Sequence, residues 1–152
     1  MTDARDADEI REAMRCIKRG LKAEYVREVT PELIATYAEV SGDHHRLHVD
    51  EEYAASTSYG RRIAHGSMLV GFMSTASTIL SDIIEEQIGR ANVSLGYDKV
   101  RFIGPVFEGD TIVTRILLTE INEERLRALC EQECVNQNGE TVAVAQHVMR
   151  FI

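Results

Sequence analysis

The segment Ser41–Ala54, SGDHHRLHVDEEYA, crowds together side chains that can do chemistry. Asp43, His44, His45, His48 and Asp50 all fall within it. An imidazole changes charge near neutral pH and a carboxylate is a base there, so an Asp with a His can share acid and base work on one water. The same donors ligate zinc or iron, and the same composition also suits a solvated polar loop. The metal alternative is the weakest of the three. Its ligands would come from one short loop, and His65 and His147 are the histidines found elsewhere. Neither HExxH nor CxxC accompanies them, and the adjacent His44 and His45 point different ways in most backbones. No metal is expected. His44 by itself reads as solvent-exposed, whereas Asp43 with His48 reads as a pair because of a second segment downstream.

That segment begins at Ala64-His65-Gly66, the head of GSMLVGFMSTASTILS, Gly66–Ser81, which carries no charged residue. Its apolar positions fall all round a helix, which predicts a buried central helix. It is too short and too rich in hydroxyls for a membrane span. The first N–H groups of any helix lack internal partners and sit at the positive end of its dipole. Gly66 has no side chain, so a substrate oxygen can come close to its N–H and develop negative charge there. Tight packing of Gly66 against a sheet is the competing explanation, and both can hold.

Other elements must position these groups. Thr30-Pro31 is a helix start, with a hydroxyl N-cap and proline at the first helical position. Leu33, Ile34, Tyr37 and Ala38 then share one apolar face, and Gly42 ends the helix. The Asp43–Asp50 stretch reads as a loop, Asp50–Ser56 as a short helix, and TSYGRRIAHG as another loop. Leu21–Val29 predicts a first strand. Four more are predicted at about Val93–Ile103, Thr111–Ile121, Leu126–Val135 and Thr141–Ile152, separated by turn signals such as Gly104-Pro105, Gly109-Asp110 and Asn136-Gln-Asn-Gly139. In the last, Val142, Val144 and Val148 fall on one face, and Ala143, Ala145, Met149 and Phe151 on the other. The sum is an α+β domain: an antiparallel sheet of about five strands wrapped around a central helix.

Ahead of it, residues 1–20 read as a charged helical extension with a thin stripe of Ile10, Met14 and Ile17, expected to be peripheral, and residues 21–152 as one domain. The chain of 152 residues has 44% hydrophobic and 28% charged residues and a net charge of −8. That balance disfavours nucleic acid and anionic membranes as partners, since both reward a basic footprint. Cys16, Cys130 and Cys134 are sparse and odd in number, and the charged N-terminus resembles neither a signal peptide nor a membrane anchor, so a reduced, cytoplasmic setting is expected. Cys130 and Cys134, four apart on a predicted strand, share a face and read as small apolar filler.

The stretch YAEVSGDHHRLHVDEEYAASTSYGRRIAHGSML resembles the signature of the MaoC-like dehydratases and (R)-specific enoyl-CoA hydratases: Gly-Asp-x-Asn-Pro-x-His, about seventeen residues, then His-Gly. YDKVRFIGPVFEGDTI is similar to that family's strand–turn–strand, and the likeness spans about Lys22 to the C-terminus. The resemblance implies the hot-dog fold and reversible hydration of a trans-2-enoyl thioester to an (R)-3-hydroxyacyl thioester. It makes Asp43 and His48 the catalytic pair and Gly66 the oxyanion donor, and it places His45, His65, Ser74, Met68 and Arg101 toward the substrate. Arg61, Arg62, Lys99 and Arg101 are candidates for the phosphates of CoA or of a carrier-protein arm, and Leu69, Phe72 and Met73 for the acyl chain. It implies no cofactor beyond the thioester that the substrate brings, and a homodimer or a higher oligomer. One departure stands out: the family's Asn-Pro is His45-Arg46 here. Two rivals share the fold. A thioesterase would want a carboxylate on the central helix, which has none before Asp82; the other rival is an acyl-CoA-binding protein without turnover.

Overall fold

The alternating segments pair as strands because each has one apolar face to bury and backbone groups to satisfy. In the computed structural model, which describes residues 4–152, β1 (Lys22–Glu28), β2 (Asn92–Phe102), β3 (Thr111–Asn122), β4 (Arg127–Val135) and β5 (Thr141–Phe151) form one sheet in the order β1-β3-β4-β5-β2. Every neighbouring pair is antiparallel. Four helical segments other than the central one accompany it: α1 (Ala4–Met14), α2 (Pro31–Ser41), α3 (Arg46–Val49) and α4 (Glu51–Ala55). The long helix α5 (Gly66–Ile88) lies along the inner face of the sheet, giving the hot-dog fold.

The alternation read from the sequence decides the inner face. Ile112, Ile116 and Leu118 of β3 are buried, while Arg115 and Leu117 between them are exposed. On β5, Ala143, Ala145, Met149 and Phe151 are buried. Val142 departs from the alternation and is buried as well, because the chain at Ile103 and Gly104 folds across it and donates both N–H groups to its carbonyl. Cys130 and Cys134 are buried filler, and burial pushes their thiols up to about 12 and about 11.

Three expectations change. The apolar stripe of α1 is not peripheral: Ile10 and Met14 are fully buried, and with Ile17 they join Leu80, Ile84, Leu118 and Phe151 in one core cluster. Ile10 and Met14, one turn apart on α1, and Ile17, just beyond its end, together cover one side of that cluster, whatever the charge of the outer face. Secondly, α5 runs on to Ile88 and is not enclosed on all sides. Met68, Leu69, Phe72, Met73, Ala76 and Leu80 are buried, whereas Ser67, Gly71, Ser74, Thr75 and Thr78 are exposed along the opposite face. An 18-residue window of α5 is apolar enough to cross a membrane, but its apolar face is packed against the sheet. Thirdly, Arg46–Val49 is a helical turn rather than loop, and His48 sits on it.

Candidate active site

Asp43 emerges directly from the end of α2. Thr30 Oγ1 accepts from Leu33 N–H at 3.2 Å to start that helix, and Gly42 ends it at φ 75°, a left-handed conformation that glycine adopts without strain. The next residue begins a tight turn: Asp43 Oδ1 accepts from His45 N–H at 3.1 Å. That hydrogen bond, the largest influence on the carboxyl, holds Asp43 below the usual carboxylate range, so it is ionised at neutral pH.

His45 and Arg46 fix the backbone that Asn-Pro would otherwise fix. His45 is the N-cap of α3, its Nδ1 accepting from Leu47 N–H at 3.3 Å, which is an asparagine-like job. The Arg46 guanidinium holds Asp50 Oδ2 at 3.0 and 3.1 Å and lies 4.1 Å over the Tyr53 ring. Asp50 in turn caps α4 by accepting from Tyr53 N–H at 2.9 Å. The turn carrying His48 is thus held by its own side chains.

His48 Nδ1 lies 2.7 Å from the Ile63 carbonyl oxygen. A carbonyl only accepts, so Nδ1 carries the proton and Nε2 is left with its lone pair. Burial, the leading cause, pushes the imidazole below its ordinary value and keeps it neutral. His65 is fixed in the opposite tautomer, its Nε2–H donating to the Asp43 carbonyl at 2.8 Å. Its ring stacks on His48 with centroids 3.8 Å apart and tilts against Tyr37 at 5.0 Å. One buried side chain therefore braces the main chain of Asp43 and the ring of His48 together.

Asp43, His48 and His65 each offer a donor atom within 4.8 Å of the others, a spacing that a metal ion could use. His65, however, has its Nε2–H committed to Asp43, and its Nδ1 is buried with no partner among the described residues. The groups left with free lone pairs are therefore the Asp43 carboxylate, His48 Nε2 and His65 Nδ1, donors that could serve a shared water or an ion.

The start of α5 completes the site. His65 is the N-cap but makes no side-chain capping bond, so the first N–H groups of the helix stay open. Gly66 is required for packing as well: a Cβ there would lie 2.8 Å from Cγ and Cδ2 of Phe102. Phe102, half-exposed at the end of β2, is a wall of the site that the sequence did not single out.

The remaining expected residues separate. Ser74 is exposed on α5 and Arg101 is exposed beside Phe102, so both are open to a ligand. Met68, Leu69, Phe72 and Met73 are core residues packed with Ile34, Ile112 and Ala143, which removes them from a free surface. His65 is too buried to be a first contact for substrate. Arg62 is tied to Glu51 and Glu108 at 2.9 and 3.3 Å. Lys99 lines a depression on the outer face of the sheet with Lys22, Arg115 and Glu131, away from the dyad. Arg61 lies 4.3 Å over the Phe107 ring.

Comparison with known proteins gives this geometry relatives. The chain is 26% identical over 133 residues to an (R)-specific enoyl-CoA hydratase of Aeromonas caviae, spanning 87% of this chain and 93% of that one. It is 27% identical over 115 residues to a 3-hydroxybutyryl-CoA dehydratase of Methylorubrum extorquens, spanning 76% and 69%. The structure of R-hydratase PhaJ1 from Pseudomonas aeruginosa superposes with a TM-score of 0.74 at 29% identity, covering 90% of this chain and 83% of that one. The MaoC like domain family model matches residues 12–142, which takes in the Asp43–His48 turn, the His65-Gly66 helix start and the end of α1, and the chain belongs to that family.

Proposed function

We propose that the chain is a hydro-lyase that reversibly hydrates a trans-2-enoyl thioester, carried by CoA or by a carrier protein, to the (R)-3-hydroxyacyl thioester. The observation that carries this is the pairing of an ionised Asp43 with a bare His48 Nε2, beside the uncapped start of α5 at Gly66. The (R) outcome and the thioester class come from the relatives' names.

The thioester carbonyl lies at the N-terminus of α5, where the Gly66 N–H receives the oxygen as it gains enolate charge. Asp43 and His48 hold one water between them. His48 Nε2 takes a proton as the water oxygen bonds to C3, and the resulting imidazolium returns a proton to C2. Asp43, negatively charged and tied by its other oxygen to His45 N–H, orients the water and stabilises the imidazolium. His65 holds both in register. No resident cofactor is called for.

The edge strand β2, with Val93 and Leu95 exposed on it, is the surface we assign to a second copy in a homodimer. The test of the activity is direct: incubate the protein with crotonyl-CoA, follow loss of the enoyl-thioester absorbance, and resolve the product by chiral chromatography. (R)-3-hydroxybutyryl-CoA is expected. Release of free thiol would identify a thioesterase, and binding without turnover would identify a carrier or sensor.

A further inference from the structure

Behind α5 the fold buries a second polar cluster that the proposed reaction does not use. His147 of β5 is buried, with its Nδ1 3.0 Å from Ser77 Oγ and its Nε2 2.8 Å from Ser94 Oγ. The Tyr97 ring stacks on it at 4.6 Å. Gln132 Nε2 donates to the Met73 carbonyl and to Ser77 Oγ, each at 2.9 Å. Those two acceptors fix the amide orientation, so Oε1 must face the other way. There it has no partner among the described residues, and the Tyr97 hydroxyl, equally buried, has none either. Both orphan atoms belong to neighbours of His147, Tyr97 through its ring and Gln132 through Ser77, and a buried carbonyl oxygen and a buried hydroxyl each call for a hydrogen-bonding partner.

The cluster lies farther along α5 from the dyad, on the side of the helix that faces β2. The seam between α5 and β2 is pinned at one end by Phe102 against Gly66 and at the other by Ser81 Oγ donating to Asn92 Oδ1 at 2.8 Å. Between those pins lie Ser74 and Ser77 on the helix and Tyr97 and Ser94 on the strand. Ser77 lies eleven positions beyond Gly66, roughly 16 Å along a helix axis, which suits an acyl chain of about twelve carbons.

We propose that this cluster is the distal end of the acyl site, and that the chain selects thioesters whose acyl tail ends in a neutral hydrogen-bonding group, such as a hydroxyl, over plain alkyl tails. The hydration reading enters only in placing the thioester at Gly66. A tail hydroxyl donates to Gln132 Oε1 and accepts from the Tyr97 O–H, satisfying both orphan atoms. A carboxylate tail finds no cation among these groups, since burial holds His147 neutral by pushing it down to about 4.

The test compares dodecanoyl-CoA with ω-hydroxydodecanoyl-CoA by calorimetric titration of the full chain, and the matching trans-2-enoyl pair by kcat/KM. The hydroxylated ligand is expected to win by about tenfold or more. Tyr97→Phe, which deletes only the hydroxyl, and Gln132→Leu should each bring the ratio toward one. Equal or weaker binding of the hydroxylated ligand, or a ratio that both variants leave unchanged, overturns the proposal. A binding preference with no turnover of any enoyl thioester would sink the hydration reading and leave this inference standing.

Discussion

At the scale of single residues, the two histidines of the site are set apart by the carbonyls they touch. His48 gives its Nδ1 proton to Ile63 and keeps Nε2 bare, whereas His65 spends its Nε2 proton on Asp43. Because burial depresses His48, lowering the pH converts it to imidazolium only below the ordinary imidazole range. Hydration should therefore hold through pH 6.5 and fall on the acid side of it; a kcat/KM profile whose acid limb sits above that value would contradict the tautomer and burial described here. His45 is the substitution that the family motif left open. As an N-cap it should be replaceable: His45→Asn is expected to keep stability and activity, and His45→Ala to cost about 1 kcal/mol, read by urea denaturation. Type and spacing singled out Asp43, His48 and Gly66, and the fold brings Asp43 and His48 together through His65, the residue just before Gly66. It did not reveal that His65 braces the dyad, because a ring's partners depend on how two loops meet.

Among the elements, strands and caps were readable because their signals are local. Thr30-Pro31 capped α2 as expected, and the five strands fall within a residue or two of their predicted bounds. Burial of α1 was not readable, since a thin stripe on a charged helix fits either a solvent-facing helix or one laid across a core. Its contribution can be measured. Met14, fully buried with Ile84, Leu118 and Phe151 in the same cluster, should cost about 2–5 kcal/mol when truncated to Ala, and Ile10→Ala a similar amount. A loss under about 1 kcal/mol in both would return α1 to the periphery. His147 could have been placed from the alternation of β5, where it falls between Ala145 and Met149 on the inner face. Gln132, its neighbour through Ser77, could not, because strand order sets that meeting.

For the whole molecule, the buried neutral His147 ties stability to pH. Unfolded, an imidazole takes a proton near 6.5; folded, this one resists until about 4. The unfolded state thus binds more protons between those values, so the stability His147 allows is full above pH 6.5 and drains away as the pH falls toward 4, by up to about 3 kcal/mol. Urea midpoints at pH 7 and 4.5 should differ more for the native chain than for His147→Gln; equal differences would mean the imidazole protonates without cost. The central claim for the molecule is that Asp43 and His48 share one water in front of the α5 N-terminus. It is tested most directly by the kcat for crotonyl-CoA hydration of Asp43→Asn and His48→Ala, each confirmed folded by its denaturation midpoint. A loss of about 10²–10⁴-fold in both is predicted; near-native kcat in either folded variant would contradict it.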